Sequence, residues 1–150
     1  FRKNDGTGTY VEQMKIDQAG RVTMPYQPYF YAGAGASRNS VSGVLTYSNT
    51  LHNIGNHYNG TNRFTAPVAG VYFFKGQAYK EGTSTGTLRL RVNGVNVEED
   101  GRQIGGTTTH SSVLTVSAYK LNAGDYVEIY TDYASHQNPV FSVFTGFLLG

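Results

Sequence analysis

The chain of 150 residues contains no cysteine, which excludes disulfide cross-links and thiolate-held zinc or iron–sulfur centres. At this length roughly 70% of the unfolded chain's surface can be buried, so a core can form without such staples. Charge is also scarce. Asp, Glu, Lys and Arg make up 15% of the residues, against roughly 25% in an average domain. The net charge is +2, from 12 basic and 10 acidic side chains scattered along the chain. That balance leaves no electrostatic footprint for nucleic acid or an anionic membrane. No apolar run approaches the ~20 residues of a membrane span, and no signal-peptide pattern opens the sequence. Helical periodicity is missing: no window repeats apolar residues at i, i+3, i+4 and i+7 over three turns. Catalytic signatures are missing as well. There is no Gly-x-Ser-x-Gly elbow, no phosphate-cradling Gly-rich loop, no His-Glu-x-x-His and no Gly-x-Gly-x-x-Gly. The only acidic cluster is Glu98-Glu99-Asp100. The chain is therefore not expected to be an enzyme, and no cofactor is implied.

What is abundant is glycine (19) and tyrosine (12). Short Val-, Tyr-, Phe- and Thr-rich runs alternate with clusters of Gly, Asn, Pro and Ser, the pattern of an all-β sandwich or barrel. Tyr10–Ile16 and Arg21–Met24 read as a β-hairpin joined by the turn Asp17-Gln18-Ala19-Gly20. A two-stranded hairpin is marginal alone, so it must pack on something. Residue 1 is Phe rather than Met, so a fragment or a processed piece is expected. Pro25 and Pro28 stiffen the next stretch, and a boundary is expected near residue 25, giving a hairpin neck over 1–25 and a globular head over 26–150. Within the head, strands are expected over 44–47, 71–80, 87–92, 112–121, 125–130 and 141–149, which with the two of the hairpin gives eight to ten along the chain. The last of the 87–92 run leads into Asn93-Gly94, the strongest short hairpin signal in the chain. Segments 52–62, 81–86, 98–109 and 132–138 read as polar loops.

Strand 87–92 has one wet face, with Leu88, Leu90 and Val92 inward and Thr87, Arg89 and Arg91 outward. Strands 71–79 and 141–149 differ, because large apolar groups lie on both of their faces, and strand 125–130 sets Val127 and Ile129 against Tyr126, Glu128 and Tyr130. A sheet apolar on both sides needs a second cover, and no helix is available. Phe73, Tyr79, Tyr126, Tyr130, Phe144 and Leu148 are therefore expected at an interface between copies of the chain, since a soluble monomer rarely exposes such a patch. Phe64, Gly70, Tyr72, Phe74 and Phe147 form the expected structural core.

The run Phe64-Thr65-Ala66-Pro67-Val68-Ala69-Gly70-Val71-Tyr72-Phe73-Phe74 resembles the signature of the globular head of complement component one-q, whose fold is shared with tumour necrosis factor. Arg89-Leu90-Arg91-Val92-Asn93-Gly94, Leu121-Asn122-Ala123-Gly124-Asp125-Tyr126-Val127 and Phe144-Thr145-Gly146-Phe147-Leu148-Leu149 fit the same family in the same order, over about residues 29–149. The resemblance implies a ten-stranded jelly-roll sandwich that closes as a homotrimer. The opening stretch Glu12–Val22 resembles a segment recurring near the distal ends of bacteriophage tail fibres. Together the two resemblances imply the trimeric, receptor-binding head of a tail fibre or virion spike, acting on a host cell-surface saccharide or protein beside other virion tail proteins. Alternatives are a structural trimerisation cap, a bacterial or spore-surface adhesin of the same fold, and a saccharide-degrading enzyme.

Loops are where a binding head acts. Tyr133, His136, Gln137 and Asn138, with His57, Tyr58 and Asn59, are the candidate receptor-binding residues, because such side chains combine ring stacking with adaptable hydrogen bonds. Neither nucleic acid nor membrane insertion is expected. His52, His57, His110 and His136 form no ligand pair at metal spacing, so the metal status is left open. In a trimer, three copies of one His, or of Glu98, Glu99 or Asp100, could hold a cation near the threefold axis. Asn59-Gly60-Thr61 is a glycosylation sequon, but it is also plain turn chemistry.

Overall fold

The computed structural model describes residues 1–35, 39–81, 85–97, 102–104, 110–137 and 140–150, with the backbone alone for 39–41, 80–81, 102–104, 110–111 and 133–137. All regular structure among these residues is β-strand. The amino-terminal region forms two small hairpins rather than one. β1 (Arg2–Asn4) pairs with β2 (Tyr10–Glu12), and β3 (Lys15–Ile16) pairs with β4 (Val22–Thr23). The expected strand Tyr10–Ile16 is broken because the N–H groups of Gln13 and Met14 both donate to the Phe1 carbonyl, at 2.8 and 3.2 Å. The turn at 17–20 is as the sequence implies. Gly20 takes a φ of 77°, and the Asp17 carboxylate accepts from the backbone of Ala19 and Arg21 and from Arg21 Nε (2.7 Å).

From residue 29 the chain continues through β5 (Tyr29–Gly33), β6 (Asn39–Val44), β7 (Asn49–Ile54), β8 (Phe64–Thr65), β9 (Gly70–Glu81), β10 (Gly86–Val92), β11 (Val95–Asn96), β12 (Arg102–Ile104), β13 (His110–Leu121), β14 (Tyr126–Gln137) and β15 (Val143–Leu148). These make two antiparallel sheets. One runs β13-β9-β15-β5-β7; the other runs β11-β10-β14-β6, with β12 added to β10 and β8 to β14. Eleven strands are described where the resemblance implies ten, the short β8, β11 and β12 flanking longer ones. The β10–β11 turn uses Asn93 and Gly94 at φ 51° and 78°, the paired left-handed geometry that Asn-Gly favours. Several expectations fail here, among them the loops over 52–62 and 98–109, which hold the end of β7 and all of β12. The segment 44–47 is not one strand: β6 ends at Val44, and Leu45 and Tyr47 then turn into the core. Residues 132–137 are not a loop but the continuation of β14, which pairs with β6 across a register shift between Thr131 and Ser135.

The core between the sheets is aromatic. Phe30 stacks on Tyr58 (ring centroids 4.8 Å) and Phe64 (5.1 Å) and meets Phe144 edge-on (4.7 Å). Such pairs contribute about 0.5–1.5 kcal/mol each beyond area burial. Phe64, Tyr72 and Phe74 are fully buried, and Gly70 is half-buried. The buried phenols have partners: Tyr58 donates to the Tyr47 carbonyl (2.9 Å), Tyr47 to Gln77 (3.1 Å) and Tyr72 to Val68 (2.8 Å). Close approach of the layers depends on two glycines. A Cβ at Gly76 would lie 2.4 Å from Ile129 Cδ1, and one at Gly146 would lie 2.4 Å from Phe74 Cδ1.

Two phenylalanines lie on the sides opposite to those expected of them. Phe144, expected at an interface, is fully buried, and Phe147, expected in the core, lies 37% exposed on the outer face. Register explains the exchange. Phe144 is opposite the inward-facing Gly76, whereas Phe147 is opposite the outward-facing Phe73.

Candidate functional site

The outer face of the β13-β9-β15-β5-β7 sheet collects the chain's apolar surplus. On β9 the outward positions are Val71, Phe73, Lys75, Gln77 and Tyr79, since Tyr72, Phe74, Gly76 and Ala78 are buried. Phe73 packs against Phe147 of β15 (5.2 Å), and Tyr79 stacks on Phe141 (5.3 Å). The flanking β13 is inverted relative to an ordinary half-buried strand. Leu114 is 46% exposed while Thr115 is buried, and Val116 shares the outward side with Leu114. Tyr29 and Tyr31 on β5 and Ile54 on β7 extend the face to the other edge. Near its middle stands Lys75, between Val116 and Thr145. Among the described residues no element of this chain covers the face.

Tyr126 and Tyr130 do not belong to it. They lie on β14, in the opposite sheet, and their own chain covers them. The Arg63 guanidinium sits 3.7 Å above the Tyr126 ring, and that of Arg91 sits 4.1 Å above Tyr130. Both reach the nearly buried Glu128 between them, at 3.3 and 3.9 Å. This arginine–carboxylate ladder was not anticipated, although its signal was present: the wet face of β10 carries Arg89 and Arg91, and β14 alternates Tyr126, Glu128 and Tyr130. Leu148 is also not a plain surface residue, because it packs against the core from the end of β15. Of the six expected interface residues, Phe73 and Tyr79 remain on the apolar face.

The expected receptor-binding residues are also divided. Tyr58 is in the core, where burial pushes its phenol well above the usual range, so it cannot touch a receptor. Asn59 is spent on its own turn: its Oδ1 accepts from the backbone of Thr61, Asn62 and Arg63 at 2.9–3.0 Å. His57 is half-buried at the end of the sandwich that carries the hairpins, beside Gln13 and Met24. Tyr133, His136 and Gln137 lie on β14 with only their backbone described. Asn138 lies outside the described residues, as do Glu98, Glu99 and Asp100. Strand register separates the two groups. Leu121 pairs with Gly70 at the hairpin end, while His110 pairs with Glu81 at the far end, where β14 finishes at Gln137. Among the described residues no three His, Asp, Glu or Cys side chains meet as a metal centre.

The carboxyl groups with lowered pKa are turn formers rather than a catalytic pair. Hydrogen bonds from Asn93 Nδ2 (2.8 Å) and the Asn122 backbone (2.7 Å) depress Asp125. Asp17 is depressed by Arg21, and Asp5 by Thr7.

Residues 29–149 match the C1q domain family. The chain belongs to that family. Two solved structures share the fold. The "Globular Domain of Zebrafish Complement 1qA protein" is 21% identical, with a TM-score of 0.57, covering 83% of this chain and 98% of that one. The "Crystal structure of murine APRIL at pH 5.0" is 11% identical, with a TM-score of 0.66, covering 82% and 99%. No curated protein matches the chain. The sandwich is thus a C1q-type jelly roll, from a family of homotrimeric, typically extracellular binding and structural modules.

Proposed function

We propose that this C1q-type chain is the homotrimeric head of a phage tail fibre or virion spike, adhering to a host cell-surface saccharide or protein. The observation that carries the reading is the apolar face built by Phe73, Tyr79, Leu114, Val116, Phe141 and Phe147, which no element among the described residues covers. Copies of the same face supply a cover of matching chemistry, and a cyclic arrangement closes the assembly. Residues 1–25 act as the neck, which the resemblance of Glu12–Val22 to tail-fibre ends supports, and residues 26–150 act as the head. Adhesion falls to the segments beyond Glu81, before His110 and after Gln137, whose strand ends share the end of the sandwich away from the hairpins. Weak contacts there are multiplied by three per head. No covalent step is involved.

The test has two arms. Light scattering at micromolar concentration is expected to return three times the chain mass, and fluorescently labelled protein is expected to decorate intact host cells. A monomer refutes the assembly; a trimer that decorates no cells refutes the adhesion. The burial of Tyr58 and the self-satisfied turn at Asn59 favour a second reading, a purely structural cap. Under that reading, deletion of 138–139 leaves both trimer mass and adsorption intact.

A further inference from the structure

The amino-terminal hairpins leave apolar groups in water that their own short strands cannot shelter. Ile16 and Val22 are cross-strand partners in β3–β4, and they are 62% and 53% exposed. Strands this short do not hold a hairpin together in water, so that edge requires a cover. Where the chain passes from β4 into the head it borders a cleft of about 460 Å³, walled by Met24, Pro28, Val68, Leu148 and Leu149 among others. A second hollow of about 430 Å³ shares Met24, Pro28, Leu148 and Leu149 and runs on to Phe147, on the outer apolar face. The cleft is therefore continuous with the surface assigned above to subunit contact. Ile16 and Val22 of the same chain are not among its walls.

We infer that each cleft receives the Ile16–Val22 edge of a neighbouring subunit's β3–β4 hairpin. The inference rests on the trimer reading. Rotation about a common axis keeps every hairpin at the same end of the assembly, so the next subunit's neck arrives at the end where the cleft lies. The apolar pair then meets apolar walls, while the Asp17–Arg21 ion pair of the turn stays in water. Such an exchange ties the neck of one subunit to the head of the next, which the sheet contact alone does not do.

The absence of native cysteine makes engineered thiols an unambiguous probe. The full chain carrying Ile16→Cys and Val68→Cys is oxidised, sized by light scattering and run on a denaturing gel without reductant. The expected result is a trimer in solution whose subunits are covalently linked to one another on the gel, with each single variant unlinked. A trimer without links overturns the inference and leaves the trimer reading standing. An internal disulfide overturns it too, since the cleft would then hold its own chain's hairpin. A monomer in solution overturns both. A second variant needs no oxidation. Ile16→Asp with Val22→Asp alters only side chains exposed in the single chain, so the circular dichroism is expected to stay unchanged. The concentration at which the trimer dissociates is expected to rise at least tenfold; no change overturns the inference.

Discussion

Replacing Phe147 with Asp tests the proposed assembly at the residue whose expected burial the structure reverses. Phe147 retains 37% of its surface in the single chain, so that share is what a partner can still cover. Full burial of such a side chain is worth about 1.5–3 kcal/mol, which leaves about 1 kcal/mol per subunit for the contact. The larger effect is the carboxylate. Removing a charge from water without a partner costs several kcal/mol, about 3 or more per subunit. Three subunits together then lose about 12 kcal/mol, roughly eight orders of magnitude in the trimer dissociation constant. Lys75 shares the face and can soften this loss, so the measured effect is expected to fall as salt screens that attraction. Sedimentation equilibrium is the assay, with circular dichroism as the folding control. The expected result is a folded monomer across the micromolar range. A Phe147→Asp trimer as tight as the original chain refutes the assignment of this face. Phe144→Ala is the matched contrast: it empties a fully buried site, and about 3–5 kcal/mol of fold stability is expected to disappear in denaturant titration.

Gly146→Ala is expected to destabilise the fold by about 1–3 kcal/mol, because the new methyl would stand 2.4 Å from Phe74 and 2.9 Å from the Phe73 carbonyl; thermal melting measures it. Glu128→Ala removes the carboxylate shared by Arg63 and Arg91 and is expected to cost about 2 kcal/mol in urea titration. Asp125 has its folded pKa lowered by Asn93 and the Asn122 backbone, so its contribution is complete above the ordinary value of 3.8 and fades as pH falls through the folded value. Asp125→Ala is therefore expected to lower the denaturation midpoint at neutral pH, with the gap to the original chain closing in strong acid.

Much of the fold could be read from short-range pattern. The alternation of 87–92 gave its inward and outward sides correctly, and Asn93-Gly94 forms the turn it signals. What failed was non-local. Period-two alternation cannot say which side of 141–149 faces in when Phe144 and Phe147 are equally apolar; the decision comes from Gly76 and Phe73, some 70 residues upstream, through the register. Strand-to-sheet assignment is equally hidden, so Tyr126 and Tyr130 were grouped with Phe73 although they lie across the sandwich. The polar stretch 132–137 read as a loop because its pairing partner, β6, is nearly a hundred residues away. Tyr58 sits between polar neighbours, and nothing adjacent in the chain reveals that its ring stacks on Phe30.

The backbone arrives at the sandwich and leaves it side by side: Leu148 N–H donates to the Pro28 carbonyl at 3.1 Å, and Val71 N–H donates to the Gly150 carbonyl at 2.7 Å. Cargo or a stalk joined at either terminus is thus anchored at a single extremity, and the opposite tip stays clear. Swapping such a module onto an unrelated support would require only one attachment point and no rerouting of the polypeptide.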